Sequence, residues 1–221
     1  MLDMYLNTIW AAVEKIHSNG WRKYFNRIVF VFQVFKHWNA ASMLMASSVP
    51  SSLALTLSLR PESLGVLVWP YINNVWTVDE RVNAIVGHHK IISSCNKLNV
   101  GINQSFEVLK LDDVFDGLSL VIDRPKWFMR EGELSLNLFL NGERIYSIAF
   151  TFAQMLGRRI VYVGGIQGRN IPEIQNLYHE LTKKIHGCRP RDFLIQLFLM
   201  TCRHCCVEKI YAVSEAHRHH R

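Results

Sequence analysis

The residues whose types and spacing bear most directly on chemistry lie in "YVGGIQGRN", Tyr162–Asn170, where three glycines and Arg169 follow a short apolar run. Glycines at the end of a strand can cradle a phosphate on bare backbone N–H groups. The dinucleotide fingerprint G-x-G-x-x-G ending at Gly168 would need glycine where Val163 stands, and a P-loop would need Lys-Ser/Thr where Arg169 and Asn170 follow. Neither template fits. What remains is a backbone role, with a bulge or close approach at Gly164 and Gly165 and a turn toward a helix at Gly168 and Asn170. Arg169, at the helix entrance, is a candidate anion contact.

Three further clusters invite the same test. "HELTKKIH" opens like a zinc-protease helix with His179 and Glu180, but Lys183 occupies the place of the second histidine. His186 remains as a candidate general base, because imidazole titrates near neutral pH, with a packing or capping histidine as the commoner use. "CRHCC" puts Cys202, Cys205 and Cys206 on one helical face, and with His217, His219 and His220 they have the chemistry of zinc ligands. Their spacing matches no paired C-x-x-C arrangement, so buried packing is the expected role and no metal site is assigned. No G-x-S-x-G serine elbow is present.

The segment "KKIHGCRPRDFLIQLFLM" is the more informative one. Lys184, Gly187, Arg189 and Arg191 lie just before a helix, where free N–H groups and the positive dipole end attract anions. Together with Arg169 they form the expected anion or cofactor site, suited to the pyrophosphate of an acyl-coenzyme such as acyl-CoA. The plainer alternative is that Gly187 caps one helix and Pro190 begins the next.

These residues need elements to position them. Apolar spacing predicts a helix over residues 3–18, closed by Asn19-Gly20, and a second over Trp21–Trp38. The second carries Arg22, Lys23, Arg27 and Lys36 around an aromatic middle. It reads either as an ordinary packed helix or as a segment lying on anionic lipid with its basic side chains snorkelling outward. "SSVPSSL" (Ser47–Leu53) reads as a linker. Thr77 with Glu80 predicts a capping box at the start of a helix. From about residue 105 the period becomes two, and Leu134, Leu136, Leu138 and Leu140 alternate up to Asn141-Gly142, a strong hairpin signal. A strand over Arg159–Gly164, helices over Ile171–Ile185 and Asp192–Cys205, and a strand over Lys209–Ser214 complete the order. The fold class is α+β: a helical N-terminal region (1–60), then an α+β domain (61–221) with a mixed sheet, an antiparallel hairpin and packed helices.

Composition bounds the function. Of 221 residues, 49% are hydrophobic and 19% charged, which excludes disorder. The net charge is +7, and residues 158–221 hold eleven basic and five acidic side chains. That suits an anionic, phosphate-bearing partner. Nucleic acid is not the expected one, because the chain lacks the interleaved aromatics and basic stripe of a single-strand platform. Five cysteines, three of them crowded together, do not form a disulfide framework. The longest early apolar run, Ile28–Phe35, is far short of the ~20 residues a bilayer crossing needs. The chain reads as cytoplasmic, with a peripheral inner-membrane contact through 21–38 as the alternative to packing.

The order hairpin, strand, helix, helix, strand with a basic glycine loop resembles the core of the GNAT acyltransferase fold, although Arg189 replaces the final small residue of that fold's loop. A closer resemblance is carried by "RPESLGVLVWPYINNVWTVDERVNAIVGHH", "VYVGGIQGRN", "LTKKIHGCRPRDFLIQ" and "KIYAVSEAHR". Together they are similar to the VirK/YbjX family of Gram-negative bacteria, from about residue 60 onward. That family is associated with virulence, envelope fitness and tolerance of antimicrobial peptides, and it supplies no assigned catalytic residues. Its members continue beyond the Ala-Val-Ser strand, so the resemblance implies a shortened member with an incomplete sheet. The expected function is a cytoplasmic factor supporting production or surface presentation of envelope and virulence proteins. The alternative is an acyltransferase-like enzyme using acyl-CoA or an acyl-carrier protein, and the third reading is a post-transcriptional RNA-binding regulator.

Overall fold

The computed structural model describes residues 2–16, 20–46, 48–94, 98, 100–170, 172 and 174–218. The described residues form two compact units, one within Met1–Asn99 and one over Val100–Arg218.

The first unit is helical. Helices α1 (Leu2–Glu14), α2 (Trp21–Lys36), α3 (Trp38–Met45), α4 (Ser51–Leu59) and α5 (Val78–Ser93) surround a 3-10 helix at Pro61–Leu67. Leu64, Leu67, Val34, Ala41, Val82 and Ile92 make its solvent-free centre. The expected capping box is present: Glu80 N–H donates to Thr77 Oγ1 at 3.3 Å and Thr77 N–H to Glu80 Oε2 at 2.7 Å. Arg81 then pins the aromatic turn before it, donating from Nε to Trp76 O at 3.0 Å and from Nη1 to Trp69 O at 3.1 Å. Of the linker expected at Ser47–Leu53, Ser47 lies outside the described residues, and α4 starts at Ser51 directly after Pro50. Proline immediately before a helix fixes φ without removing a needed donor, so Pro-Ser-Ser opens the helix rather than breaking the chain. Of the stop expected at Asn19-Gly20, Asn19 lies outside the described residues, and Gly20 has φ +59°.

The second unit is a six-stranded sheet in sequential order: β1 (Ser105–Lys110), β2 (Leu118–Asp123), β3 (Leu134–Leu140), β4 (Glu143–Met155), β5 (Arg158–Gly168) and β6 (Lys209–Ala212). All neighbours are antiparallel except β5 and β6, which are parallel. Asn141 and Gly142, at φ 49° and 78°, form the β3–β4 turn. A second tight turn at Leu156-Gly157 (φ 51° and 78°) joins β4 to β5. The parallel pair requires a crossover, supplied by α6 (Ile174–Lys184) and α7 (Pro190–His204). Two positions of the expected 171–185 helix, 171 and 173, fall outside the described residues. Helix α7 packs on β3 and β4, with the Phe198 and Phe150 rings 5.1 Å apart. Leu134, Leu136, Leu138, Ile148, Phe150 and Phe152 are fully buried beneath it. The fold is α+β, with a helical N-terminal part and a mixed sheet.

Candidate functional site

The glycines near the end of β5 serve a close backbone approach. Strand β5 continues through Gly164 and Gly165, and the register with β4 slips there, Ala149 facing Gly165 while Phe150 faces Val163. Gly164 is therefore the extra residue of a bulge. A β-carbon on Gly164 would stand closer than 3.0 Å to the carbonyl oxygen of Glu131, and one on Gly165 equally close to the Glu131 carboxylate. One on Gly132 would strike the backbone of Phe150. The β2–β3 connection is thus laid across this face of the sheet, and its own Glu131, 7% exposed, occupies the room the glycines create. The Arg124–Glu133 pair closes the base of this excursion at 2.8 Å, with both side chains at or below 10% exposure. Glu133 N–H donates to Thr151 Oγ1 at 3.1 Å. The close approach expected at Gly164 and Gly165 is made by the chain itself.

Beside this excursion the same sheet face carries a buried polar network. Ser135, Asn137, Ser147 and Asp123 come from β2, β3 and β4, and each is less than a tenth exposed. Asp123 Oδ1 accepts from Ser135 and from Asn137 Nδ2, the latter at 3.0 Å, and its second oxygen pairs with Arg144. Arg144 also donates to Asn137 Oδ1 and, at 3.2 Å, to Ser147 Oγ. The Arg144 guanidinium lies 5.2 Å from the Trp127 ring and 5.1 Å from the Phe139 ring. A hollow of about 240 Å³ opens where β4 begins and β5 ends, with Trp127, Arg144, Ser147, Gln167 and Arg169 among its walls. At its rim Arg169 pairs with Glu143. The Arg169 N–H donates to Tyr178 Oη at 3.1 Å, and that hydroxyl donates to Ile145 O at 2.9 Å. Burial, with Tyr146 alongside, pushes the Tyr178 phenol up to about 12, so it stays protonated and holds α6 to the end of the sheet.

The remaining expected residues lie elsewhere. Lys184 ends α6, His186, Gly187 and Arg189 lie in the α6–α7 connection, and Arg191 is the second residue of α7. His186 and Gly187 are both left-handed (φ 52° and 87°), and Gly187 N–H donates to Thr182 O at 2.8 Å, closing α6. Arg189 is the residue before α7 and Pro190 its first. Arg191 pairs with its neighbour Asp192 at 3.0 Å, and the exposed His186 side chain makes no hydrogen bond among the described residues, its backbone N–H donating to Lys183 O at 3.3 Å. Arg169 is held by Glu143 and Tyr178, not by members of this loop. Cys202 and Cys205 are buried and Cys206 is exposed. Among the described residues no group of three or more His, Cys, Asp or Glu is arranged to hold a metal; His219 and His220 lie outside them.

Helix α2 presents a second surface. It buries Phe30 and Val34. Trp21, Tyr24, Phe25, Ile28, Phe32 and Phe35, spaced to fall on one helical stripe, are all more than half exposed. Arg22, Lys23, Arg27 and Lys36 accompany them, and α2 contains no carboxylate. No helix among the described residues is long and apolar enough to cross a membrane.

The sequence profile described as "Protein of unknown function (DUF535)" matches residues 19–221. The chain belongs to the DUF535 family. This is the VirK/YbjX family to which the motifs pointed. The DUF535 chain is 37% identical over 91 residues to the uncharacterized protein YbjX of Escherichia coli (strain K12), a match covering 38% of this chain and 26% of that protein. It is 37% identical over 84 residues to an uncharacterized protein of Haemophilus influenzae, covering 38% of this chain and 27% of the relative. The chain thus spans about a quarter of the length of the curated relatives it matches. No solved structure matches.

Proposed function

We propose that this DUF535 protein works at an anionic membrane surface, docked peripherally through α2, and from there supports the production or presentation of envelope and virulence components. The observation that carries this reading is the exposed aromatic stripe of α2. Basic side chains surround it and no acidic residue interrupts it, which is the composition of a helix lying in the headgroup region of anionic lipid. The first sixty residues, with six basic and two acidic side chains, add to the attraction.

Flotation of the chain with phosphatidylglycerol-containing vesicles, compared with phosphatidylcholine vesicles, tests it. The wild type is expected to float with the anionic vesicles and to be released by salt. A Phe25→Ser, Ile28→Ser, Phe32→Ser variant is expected to lose binding by about a hundredfold, from roughly 1 kcal/mol of partial burial per side chain. Unchanged binding by that variant, or vesicle-independent self-association through the same stripe, would refute the reading.

A second reading, transfer of an acyl group from acyl-CoA or an acyl-carrier protein, draws support from the parallel β5–β6 crossover. Helix α7 ends beside the start of β5, where Arg159 donates to Cys205 O, so its first turn points toward the carboxyl ends of the parallel strands. Lys184, Gly187, Arg189 and Arg191 would hold the phosphates there, although Asp192 adds a carboxylate to the same turn.

A further inference from the structure

We propose that the hollow between the start of β4 and the end of β5 binds a small organic anion, a carboxylate or phosphate ester with a flat body, gripped by Arg144 and Arg169 and lying against Trp127. Three features carry this.

The first is donor capacity. The hydrogen bonds of Arg144 to Asp123, Asn137 and Ser147 occupy three of the five N–H groups of a guanidinium. Asp123 and Asn137 are buried, so they fix the guanidinium from behind while its remaining edge borders the hollow. Preorganised donors of this kind lose little on binding, and the fork of a guanidinium matches both carboxylate and phosphate. The exposed Gln167 amide, without a hydrogen bond among the described residues, adds a further donor on the same wall.

The second is a replaceable internal anion. Arg169 is paired with Glu143, whose side chain is 68% exposed. An exposed pair of this sort adds little to stability, so an incoming anion can take the place of the Glu143 carboxylate. The structure itself therefore shows a carboxylate seated on the outer arginine.

The third is shape. Trp127, 67% exposed, and Phe128 line one side, offering a flat apolar wall beside the cationic one. A volume of about 240 Å³ equals the liquid volume of roughly eight waters. That admits a single ring bearing one anionic group and is below the usual range of about 300–1,000 Å³ for larger ligands. The hollow lies within the second unit, so this inference does not depend on membrane docking.

The test is a thermal-shift titration of the full chain, at fixed ionic strength, with benzoate, phenyl phosphate and inorganic phosphate. A saturable rise with at least one ring-bearing anion is expected, and the two aryl probes distinguish carboxylate from phosphate. Arg169→Gln should weaken that binding at least tenfold. Glu143→Gln should strengthen it several-fold, because it removes the competitor; a merely structural Glu143 would give the opposite sign or no change. Trp127→Ala should weaken the aryl anions and leave inorganic phosphate unaffected. Arg158→Gln, at the other end of β5, should change nothing. Absence of a saturable rise with all three probes, or weaker binding in Glu143→Gln, would overturn the assignment.

Discussion

Substituting the paired glycines of β5 separates a cradle for an external phosphate from a seat for the chain's own Glu131. Alanine in place of a strand glycine ordinarily stabilises, by roughly 0.4–1 kcal/mol, because it restricts the unfolded chain. At Gly165 the new methyl would meet the Glu131 carboxylate, and at Gly164 the Glu131 carbonyl oxygen, each closer than 3.0 Å. Overpacking of a filled site costs about 1–3 kcal/mol. The net effect of Gly165→Ala should therefore be destabilising by about 1–2 kcal/mol, and the sign alone distinguishes a filled seat from an open one. Gly164→Ala should cost more, because main chain yields less readily than the end of a side chain.

The decisive measurement is a double-mutant cycle in urea with Glu131→Ala. Removing the carboxylate clears the space above Gly165 but leaves the carbonyl facing Gly164. Gly165→Ala should be less damaging in the Glu131→Ala background by about 1 kcal/mol or more, well within the coupling range of contacting residues. Gly164→Ala should cost the same in both backgrounds. If Gly165→Ala stabilises the wild type, or if its cost is identical with and without the carboxylate, Glu131 does not fill the site and a cradle for an external group becomes the better account.

Two further outcomes follow from buried groups. Asp123→Ala strands Arg144, whose side chain is 22% exposed, and should cost about 3 kcal/mol, the low end for breaking a buried pair, read as a fall in the urea midpoint with unchanged slope. Burial, with Cys205 beside it, pushes the Cys202 thiol up to about 12, against about 8.5 when unfolded. The folded value is the higher, so the stability this contributes is intact below about pH 8.5 and is lost as pH rises toward 12. Iodoacetamide at pH 8 should accordingly modify the exposed Cys206 in the native chain and reach Cys202 only in urea, and Cys202→Ala should blunt the alkaline loss of stability. Equal labelling of the two cysteines in the native state would contradict this.

Local chemistry made some of this structure legible. Asn141-Gly142 between alternating leucines, Thr77 with Glu80, and Pro190 opening α7 each satisfy a backbone requirement within a few residues, and each was readable. The turn at Leu156-Gly157 was not, because a leucine at positive φ runs against the preference for Asn or Asp that marks such turns. The cavity was legible only at Arg169. Ser135, Asn137 and Ser147 occupy alternate positions that normally face water, yet they are almost fully buried. Their meeting with Asp123 and Arg144 depends on the register of three strands and on the excursion that covers them, and no local signal encodes that. The same excursion explains the glycines: spacing announced that something approaches closely but not that residue 131 is what approaches.

Helix α2 shows why the direction of an amphipathic face is harder to read than its existence. Apolar residues fall on both sides of it, so their spacing alone does not say which side is buried. Phe30 and Val34 are its buried residues, while six large apolar side chains are more than half exposed. Leaving each of them half exposed forgoes roughly 1 kcal/mol that burial would contribute. A stripe of that width exceeds the scattered apolar residues common on protein surfaces and is of the kind that marks an interaction site. The absence of any carboxylate along α2 then selects among partners, since a protein partner of mixed surface charge has no need of a uniformly basic helix. An anionic headgroup layer does, and that match of charge and exposed apolar surface is the ground on which docking through α2 is proposed.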